Sequence, residues 1–195
     1  MRIATARNIQ SKKWRNTEIT WGALLDKLRT PLRTPETFKE YKSASRAEKD
    51  LRKGAAGCFV GGEIQEGRRV AGAIKNRCLI TLDADNATTS DWANASMLFD
   101  FSMAVYTTHS HCNAVPRLRW IIPLSRPVTP DEYIAVARKV AETLGIMETL
   151  DPTTYQPSRA MYYPTCSADG DFDFRSQSGQ LLDPDAVLRQ YGPEE

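Results

Sequence analysis

Residues 78–85, running Cys78-Leu79-Ile80-Thr81-Leu82-Asp83-Ala84-Asp85, constrain this chain more than any other segment. They read as a buried β-strand that ends in two carboxylates two residues apart. Side chains in a strand alternate faces, so Asp83 and Asp85 project the same way from its end. Two like charges on one face at a sheet rim repel each other unless a cation lies between them. Hard divalent ions such as Mg²⁺ are held by one or two carboxylates plus substrate phosphates. An Asp pair after a strand also starts many ordinary loops, and Asn86 and Thr88 follow here. Taken alone the pair favours the loop, so its neighbours must decide.

A chain of 195 residues with 41% hydrophobic content can form one globular domain, or two small lobes sharing a core. No apolar run approaches a membrane span, and the N-terminus lacks the apolar segment of a signal peptide. Cys58, Cys78, Cys112 and Cys166 are scattered and form no CxxC pair, which argues against a zinc ribbon and for a reducing, intracellular setting. The net charge of +2 excludes a protein that coats nucleic acid by bulk charge. The charge is uneven, however. Residues 1–77 carry 18 Lys and Arg against 8 Asp and Glu, and residues 78–195 carry 8 against 16. A basic lobe over 1–77 beside an acidic lobe over 78–195 suits a polyanion-binding part next to a metal-binding part.

The basic part begins with Lys12, Lys13, Trp14 and Arg15 and continues into a short helix with Trp21, Leu24, Leu25 and Leu28 on one face and Thr20 as N-cap. A second helix follows the Pro31, Thr34, Pro35 turn. A third begins at Ser45, with Glu48 three residues on as a capping box, and ends at Gly54. Phe59-Val60 and Val70-Ala71, around Gly61-Gly62 and Gly67, read as a β-hairpin. From residue 78 the order is a strand over 78–82, a helix over 89–99, a strand over 103–107 and a strand over 118–124. The best-marked helix comes next: Thr129 is its N-cap, Pro130 its first residue, Glu132 completes a capping box and Gly145 closes it. A last strand near Ala160–Tyr163 completes the series.

That order is β-α-β-β-α-β, the ferredoxin-like pattern of RNA-recognition (RRM) folds, so the expected class is α+β. In this topology the first strand lies between the third and the fourth, antiparallel to both and parallel to the second. One sheet edge then collects Asp83 and Asp85, His109 and His111, Arg117 and Arg119, and the segment from Asp151 to Arg159. Asp83, Asp85 and Asp151 make a set of carboxylates for Mg²⁺ or Mn²⁺ with phosphate oxygens filling the remaining positions. Arg117 and Arg119 alternate in one strand and point the same way, and a guanidinium is a strong bidentate phosphate ligand; Arg159 after Pro157-Ser158 is a weaker member of the set. His109 and His111, with Thr108 or Ser110, suit a phosphate-facing role. As zinc ligands with Cys112 they would lack a partner cluster elsewhere. There is no P-loop, GxSxG or Rossmann fingerprint.

These residues, in this order, resemble the catalytic domain of the archaeo-eukaryotic primase superfamily, in its phage and mobile-element primase-polymerase branch. The similar elements are Asp83-Ala84-Asp85 after a strand, Thr107-Thr108-His109 (or Ser110 with His111), and Leu150-Asp151. The stretch from Tyr106 to His111 followed by Arg117 to Leu124, and Leu150-Asp151-Pro152 with Pro157-Ser158-Arg159 and Tyr162-Tyr163-Pro164, look like the phage branch in particular. So do Thr34-Pro35-Glu36-Thr37 and Phe59-Val60-Gly61-Gly62. The resemblance implies an RRM-like catalytic module joined to an N-terminal α/β module around one cleft. It implies template-directed synthesis of primers or DNA from nucleoside triphosphates, with two metal ions, Mg²⁺ or Mn²⁺, on Asp83, Asp85 and Asp151. His109, Ser110 or His111, with Arg117, Arg119 and Arg159, would bind the triphosphate. Single-stranded DNA is the implied template, a helicase domain or protein the implied companion, and the cytoplasm of a bacterial or phage-infected cell the implied setting. The family histidine commonly sits nearer the start of the strand after a Gly-rich turn, where this chain has Arg119.

Two other classes fit the same residues. A metal-dependent nuclease would use the three carboxylates without nucleoside triphosphates. A non-catalytic single-stranded DNA or replication-origin binding module would share the RRM-like order, but such modules stack bases on sheet-face aromatics, and the strand from Cys78 offers none.

Overall fold

The long helix near residue 130 forms for the reasons its sequence states. Thr129 Oγ1 accepts from the Glu132 amide (3.3 Å) and Glu132 returns the bond to the Thr129 amide (2.7 Å), closing a capping box in front of Pro130. Tyr133, Val136, Ala137, Val140 and Ala141 are its buried stripe, the i, i+3, i+4, i+7 pattern of a helix lying on a core. Gly145 follows its end at φ +69°, a left-handed conformation that glycine adopts without strain.

The computed structural model describes residues 1–88 and 90–192, and of residue 66 the backbone only. In chain order it contains β1 (Arg2–Ala6), β2 (Arg15–Glu18), α1 (Trp21–Arg29), β3 (Leu32–Thr34), α2 (Phe38–Ser43), α3 (Arg46–Lys53) and β4 (Cys58–Val60). There follow β5 (Arg77–Ala84), α4 (Asp91–Leu98), β6 (Met103–Thr107), β7 (Leu118–Val128), α5 (Pro130–Thr143), β8 (Met161–Tyr162), β9 (Thr165–Ser167), β10 (Phe174–Gln177) and α6 (Pro184–Leu188). One four-stranded sheet has the order β2-β1-β4-β8, a second has β10-β6-β7-β5, and β3 pairs in parallel with β9.

Strand β5 is buried along all eight residues, because its sheet is covered on both faces. Ile80, Leu82, Trp120 and Ile122 pack against the α5 stripe on one face. On the other, Leu79, Tyr106 and Ile121 meet Ile3 of β1, Leu24 and Leu28 of α1, Phe59 of β4 and Met161 of β8. The far side of the first sheet carries a smaller core of Ala4, Trp14, Cys58, Val60, Ile64 and Ile74. Strand parity then places Asp83 on the face of Leu79, toward the first sheet.

Several expectations give way to the structure. The strand near Ala160–Tyr163 does not lie beside β5 as the ferredoxin-like order requires. It is β8, and it pairs antiparallel with β4 in the other sheet (Cys58↔Tyr162, Phe59↔Met161). The free edge of β5 is taken instead by residues 150–154. Leu150 bridges Ala84, the Asp151 amide donates to Asp83 O (2.9 Å), and Thr154 Oγ1 accepts from the Asp83 amide (2.9 Å). Pro152 has no N–H and opens a 3₁₀ turn, so a threonine hydroxyl replaces the backbone ladder there. Val70-Ala71 is not a hairpin strand: residues 71–73 form a 3₁₀ turn, and the partner of Ile64 is Ile74. Gly61-Gly62 is a close approach to β5, not a hairpin turn; a Cβ on Gly62 would lie 2.0 Å from Asn76 O. Trp14, amid the basic residues at the start of the chain, is 4% exposed, and its Nε1 donates to Ser11 O (3.0 Å). All four cysteines are free, and no helix among the described residues is long and apolar enough to cross a membrane.

Candidate active site

Antiparallel pairing sets Asp83 opposite Arg119, and Arg119 opposite Tyr106. The end of β5, the end of β6 and the start of β7 therefore share one sheet edge, and that edge opens on a cleft of about 280 Å³. Its other wall comes from α3 and from the segment through β8 and β9. The charged residues lining it are Arg46, Lys53, Arg117, Arg119 and Arg159 against Asp50, Asp83 and Asp85.

Asp83, 7% exposed, receives two guanidiniums. Arg119 Nε donates to its Oδ1 (3.2 Å) and Arg159 Nη2 to its Oδ2 (3.3 Å). Asp85, nearer solvent, pairs with Arg117 Nη1 (2.6 Å). Burial disfavours the charge of Arg119, but the Asp83 carboxylate and the Tyr106 hydroxyl outweigh it, and its pKa is raised. Arg119 Nη1 also donates to Tyr162 O (3.2 Å), which Tyr106 Oη reaches as well (2.7 Å).

Asp151 is not among the residues lining the cleft. Its Oδ1 caps the following 3₁₀ turn, accepting from Thr153 N (2.9 Å) and Oγ1 (2.8 Å), and its Oδ2 accepts from Arg159 Nη2 (2.6 Å). Burial pushes its pKa up, the Thr153 bonds and Arg159 pull it down, and the net shift is downward. Arg159 thus bridges Asp83 and Asp151. Among the described residues no three His, Cys, Asp or Glu side chains are grouped to hold a metal ion. The residues that fit one are Asp83 and Asp85, two carboxylates facing one small space, which matches the one or two carboxylates plus phosphates that Mg²⁺ usually takes.

The two histidines part company. His109 lines the cleft, but both ring nitrogens are engaged: Nδ1 with Thr165 Oγ1 (2.8 Å) and Nε2 with Glu36 Oε1 (3.1 Å). Burial lowers its pKa despite Glu36; burial opposes the charge of Glu36 too, yet bonds from Thr34 and His109 and the nearby Arg52 lower that pKa. A neutral imidazole donating Nε2–H to an ionised Glu36, and accepting from Thr165, satisfies both. Tyr41 packs on the ring (4.3 Å between centroids) and bonds Ser110 Oγ (2.6 Å). His111 lies elsewhere, in a depression with Trp92, Asn113 and Asp173, and its Nδ1 accepts from the Arg117 amide (3.2 Å).

Sequence reasoning missed the α3 wall and Glu36. Arg46, Asp50 and Lys53 are spaced i, i+4, i+7 and so share one helix face, a signal present in the sequence but indistinguishable there from a solvated stripe. Burial lowers the pKa of Lys53, Arg119 and Arg117 add to that, and Asp50 and Asp85 oppose it. Two buried polar atoms of cleft-lining residues, Arg159 Nε and Tyr163 Oη, have no hydrogen-bond partner among the described residues. Beyond α3, a wider groove of about 840 Å³ shares Arg46, Asp50 and Tyr162 with the cleft and adds Arg7, Asn8, Gln10 and Arg52.

Comparison with known proteins gives two findings. Residues 1–194 match the family model described as the VapE N-terminal domain, and the chain belongs to that family. The fold is similar to that of the AEP domain of the cyanophage S-2L primase-polymerase (PrimPol), with a TM-score of 0.51 at 16% identity over 96% of this chain and 86% of that one. No curated protein sequence matches.

Proposed function

We propose that this VapE N-terminal domain is a nucleotidyltransferase that extends or makes primers on single-stranded DNA. The observation that carries the reading is the meeting, in one cleft, of the Asp83–Asp85 pair with five cationic side chains drawn from β7 and the residue just before it, α3, and the segment before β8. A triphosphate needs both: cations for its oxygens, and carboxylates for the metal that accompanies it. The similarity to a phage primase-polymerase fold supports the same reading.

In this proposal Asp83 and Asp85 hold Mg²⁺ or Mn²⁺, which when bound stabilises the attacking and leaving oxygens of an in-line displacement. Arg117, Arg119 and Arg159 turn from the carboxylates toward phosphate oxygens, and Lys53 and Arg46 close on the triphosphate from the opposite wall. Asp151 acts through Arg159, fixing one end of that guanidinium. His109 and Ser110 hold the wall in place through Glu36, Thr165 and Tyr41, and the triphosphate contact expected of His109 passes to the arginines. Strands β6, β7 and β5 adjoin in one antiparallel sheet, while β8 lies in the other. Template runs along the groove of Arg7, Arg46 and Arg52 beyond α3, with contacts to backbone phosphate that weaken as salt rises. The helicase companion has no support in the structure and is not part of the proposal.

The test is primer extension and de novo priming on single-stranded DNA with Mn²⁺ or Mg²⁺. The intact chain should make product, and Asp83→Ala or Asp85→Ala should lower synthesis about a hundredfold or more. No product from the intact chain, or full synthesis by both variants, would end the enzymatic reading. Degradation of the DNA with metal alone, and no gain from triphosphates, would identify a nuclease instead.

A further inference from the structure

Every carboxylate at the cleft end of β5 is already paired with a guanidinium, and every guanidinium there with a carboxylate. Asp83 is bound through both oxygens, by Arg119 and Arg159; Asp85 is bound by Arg117; and Arg159 holds Asp151 as well. The groups that would take a cation and the groups that would take phosphate are each other's present ligands. From this, and resting on the reading above, we infer that the three arginines are resident counter-ions that exchange partners in one step. The cleft accepts a divalent cation and a polyphosphate together and discriminates against either ion alone.

The physical argument is one of uncompensated charge. A cation approaching alone must turn Arg119 and Arg159 away from Asp83, leaving Arg119 beside Lys53 with no anion and Arg159 with Asp151 alone. A polyphosphate approaching alone must draw the same arginines off and leave Asp83, nearly buried, with no counter-charge. Removing one partner of a buried ion pair is costly for that reason. When both arrive, the carboxylates find the cation and the guanidiniums find phosphate oxygens, so no charge is stranded. Arg159 Nε, buried without a hydrogen-bond partner among the described residues, supplies one further donor. Such coupling is reciprocal: the cation must raise the affinity for polyphosphate by the factor that polyphosphate raises the affinity for the cation.

Inorganic tripolyphosphate and Mn²⁺ test this on the full chain without nucleoside, template or synthesis. Calorimetry should show the preformed Mn²⁺–tripolyphosphate complex binding at least about tenfold more tightly than tripolyphosphate alone, a coupling of about 1.4 kcal/mol. Mn²⁺ alone, followed by its electron paramagnetic resonance signal, should bind correspondingly weakly. Asp83→Asn, which frees Arg119 and leaves Arg159 with Asp151 alone, should bind metal-free tripolyphosphate about fivefold or more tighter than the wild type and lose the gain from Mn²⁺. Asp85→Asn, at a more exposed pair and therefore safer for folding, should shift the same way by about two- to threefold. Asp50→Asn removes one negative charge from the same cleft without releasing a guanidinium, and should shift binding less than either. Equal binding of tripolyphosphate with and without Mn²⁺ would overturn the inference. So would Asn variants at 83 and 85 that bind no tighter than wild type, or an Asp50→Asn effect as large as theirs. Because none of these readouts requires synthesis, a chain that fails primer extension can still show the exchange, and an active polymerase can still lack it.

Discussion

The two four-stranded sheets answer the same problem differently. In β10-β6-β7-β5 the central strands are buried on both faces, and β5 exposes nothing along its length. In β2-β1-β4-β8 the outer strand β2 exposes all four of its residues, and the opposite end is completed by two residues of β8 contributed from late in the chain. The first is a platform whose position is over-determined by packing. The second is a thinner cover whose completion depends on the segment that also carries Arg159. The cleft uses both: Asp83, Asp85, Arg117 and Arg119 stand at the platform's edge, while Arg159, Asp50, Lys53 and Arg46 stand on the cover side. Groups that must hold a charged reaction centre gain from the rigid side. Groups that admit or grip a substrate can stand on the other.

The sharpest way to break this contrast is to compare a core deletion in each sheet. Trp120→Ala in β7, a side chain buried completely beneath α5 and beside Trp92 (5.9 Å between centroids), should cost about 3–5 kcal/mol in urea unfolding. Thr17→Ala in exposed β2 should cost no more than about 0.5 kcal/mol. Similar costs at the two sites would refute the distinction.

Arg77 tests how firmly the two are joined. It is fully buried, lies over the Tyr133 ring (4.0 Å), and donates to Gly61 O (3.1 Å), Pro157 O (2.7 Å), Leu79 O (3.2 Å) and Thr81 Oγ1 (2.8 Å). A lysine cannot reproduce that fork, so Arg77→Lys should lose about 2–4 kcal/mol in the same assay. A loss under about 1 kcal/mol would mean that the sheets are held by apolar contact alone.

A smaller effect separates them by pH. The pKa of His109 is lowered in the folded chain, so the unfolded chain binds that proton more readily, and stability falls as pH drops below the ordinary value of 6.5 toward the folded value. Glu36, also lowered, adds stability above its ordinary value of 4.5 that is lost as pH falls through its folded value. His109→Gln should cost about 1–2 kcal/mol at pH 7.5 through the lost bonds to Glu36 and Thr165. That gap should narrow as pH falls from 6.5, which melting curves across pH would show; a gap constant with pH would mean that the imidazole does not titrate between the folded and unfolded states.

The smallest effect lies in the groove. Arg7→Ala should weaken single-stranded DNA binding by a few-fold, with little regard to sequence, and flatten the slope of log affinity against log salt by about 0.7. An unchanged slope in fluorescence anisotropy would remove Arg7 from the template path.

Much of the platform was legible in advance. The Thr129–Glu132 box, Pro130 and the stripe from Tyr133 to Ala141 named α5 because caps and helical periodicity are local codes. The apolar run from Cys78 named β5, and the order of elements brought Asp83, Asp85, Arg117 and Arg119 to one edge. The cover was harder to read. Strand β2 has no alternation to show because no face of it is buried, and β8 is too short for any periodicity. The pairing of β8 with β4, in place of β5, is a long-range choice made possible by residues 150–154 occupying the edge of β5 first. Glu36 was invisible as a partner because its role exists only once His109, 73 residues later, is folded against it.

By itself, then, the sequence determined the local events: where helices start and stop, which strand is buried, and that two carboxylates stand two apart at its end. These are set by interactions within a few residues, which any reading of the chain can recover. Only the tertiary structure decided which strands became neighbours, that α3 forms the facing wall, and that Arg117, Arg119 and Arg159 rest on Asp83, Asp85 and Asp151. The physical reason is that charges attract whatever counter-charge packing brings near, and packing is settled by the burial of the whole apolar surface rather than by any segment. The Asp83–Asp85 pair could be seen at once; that it is held by arginines could not.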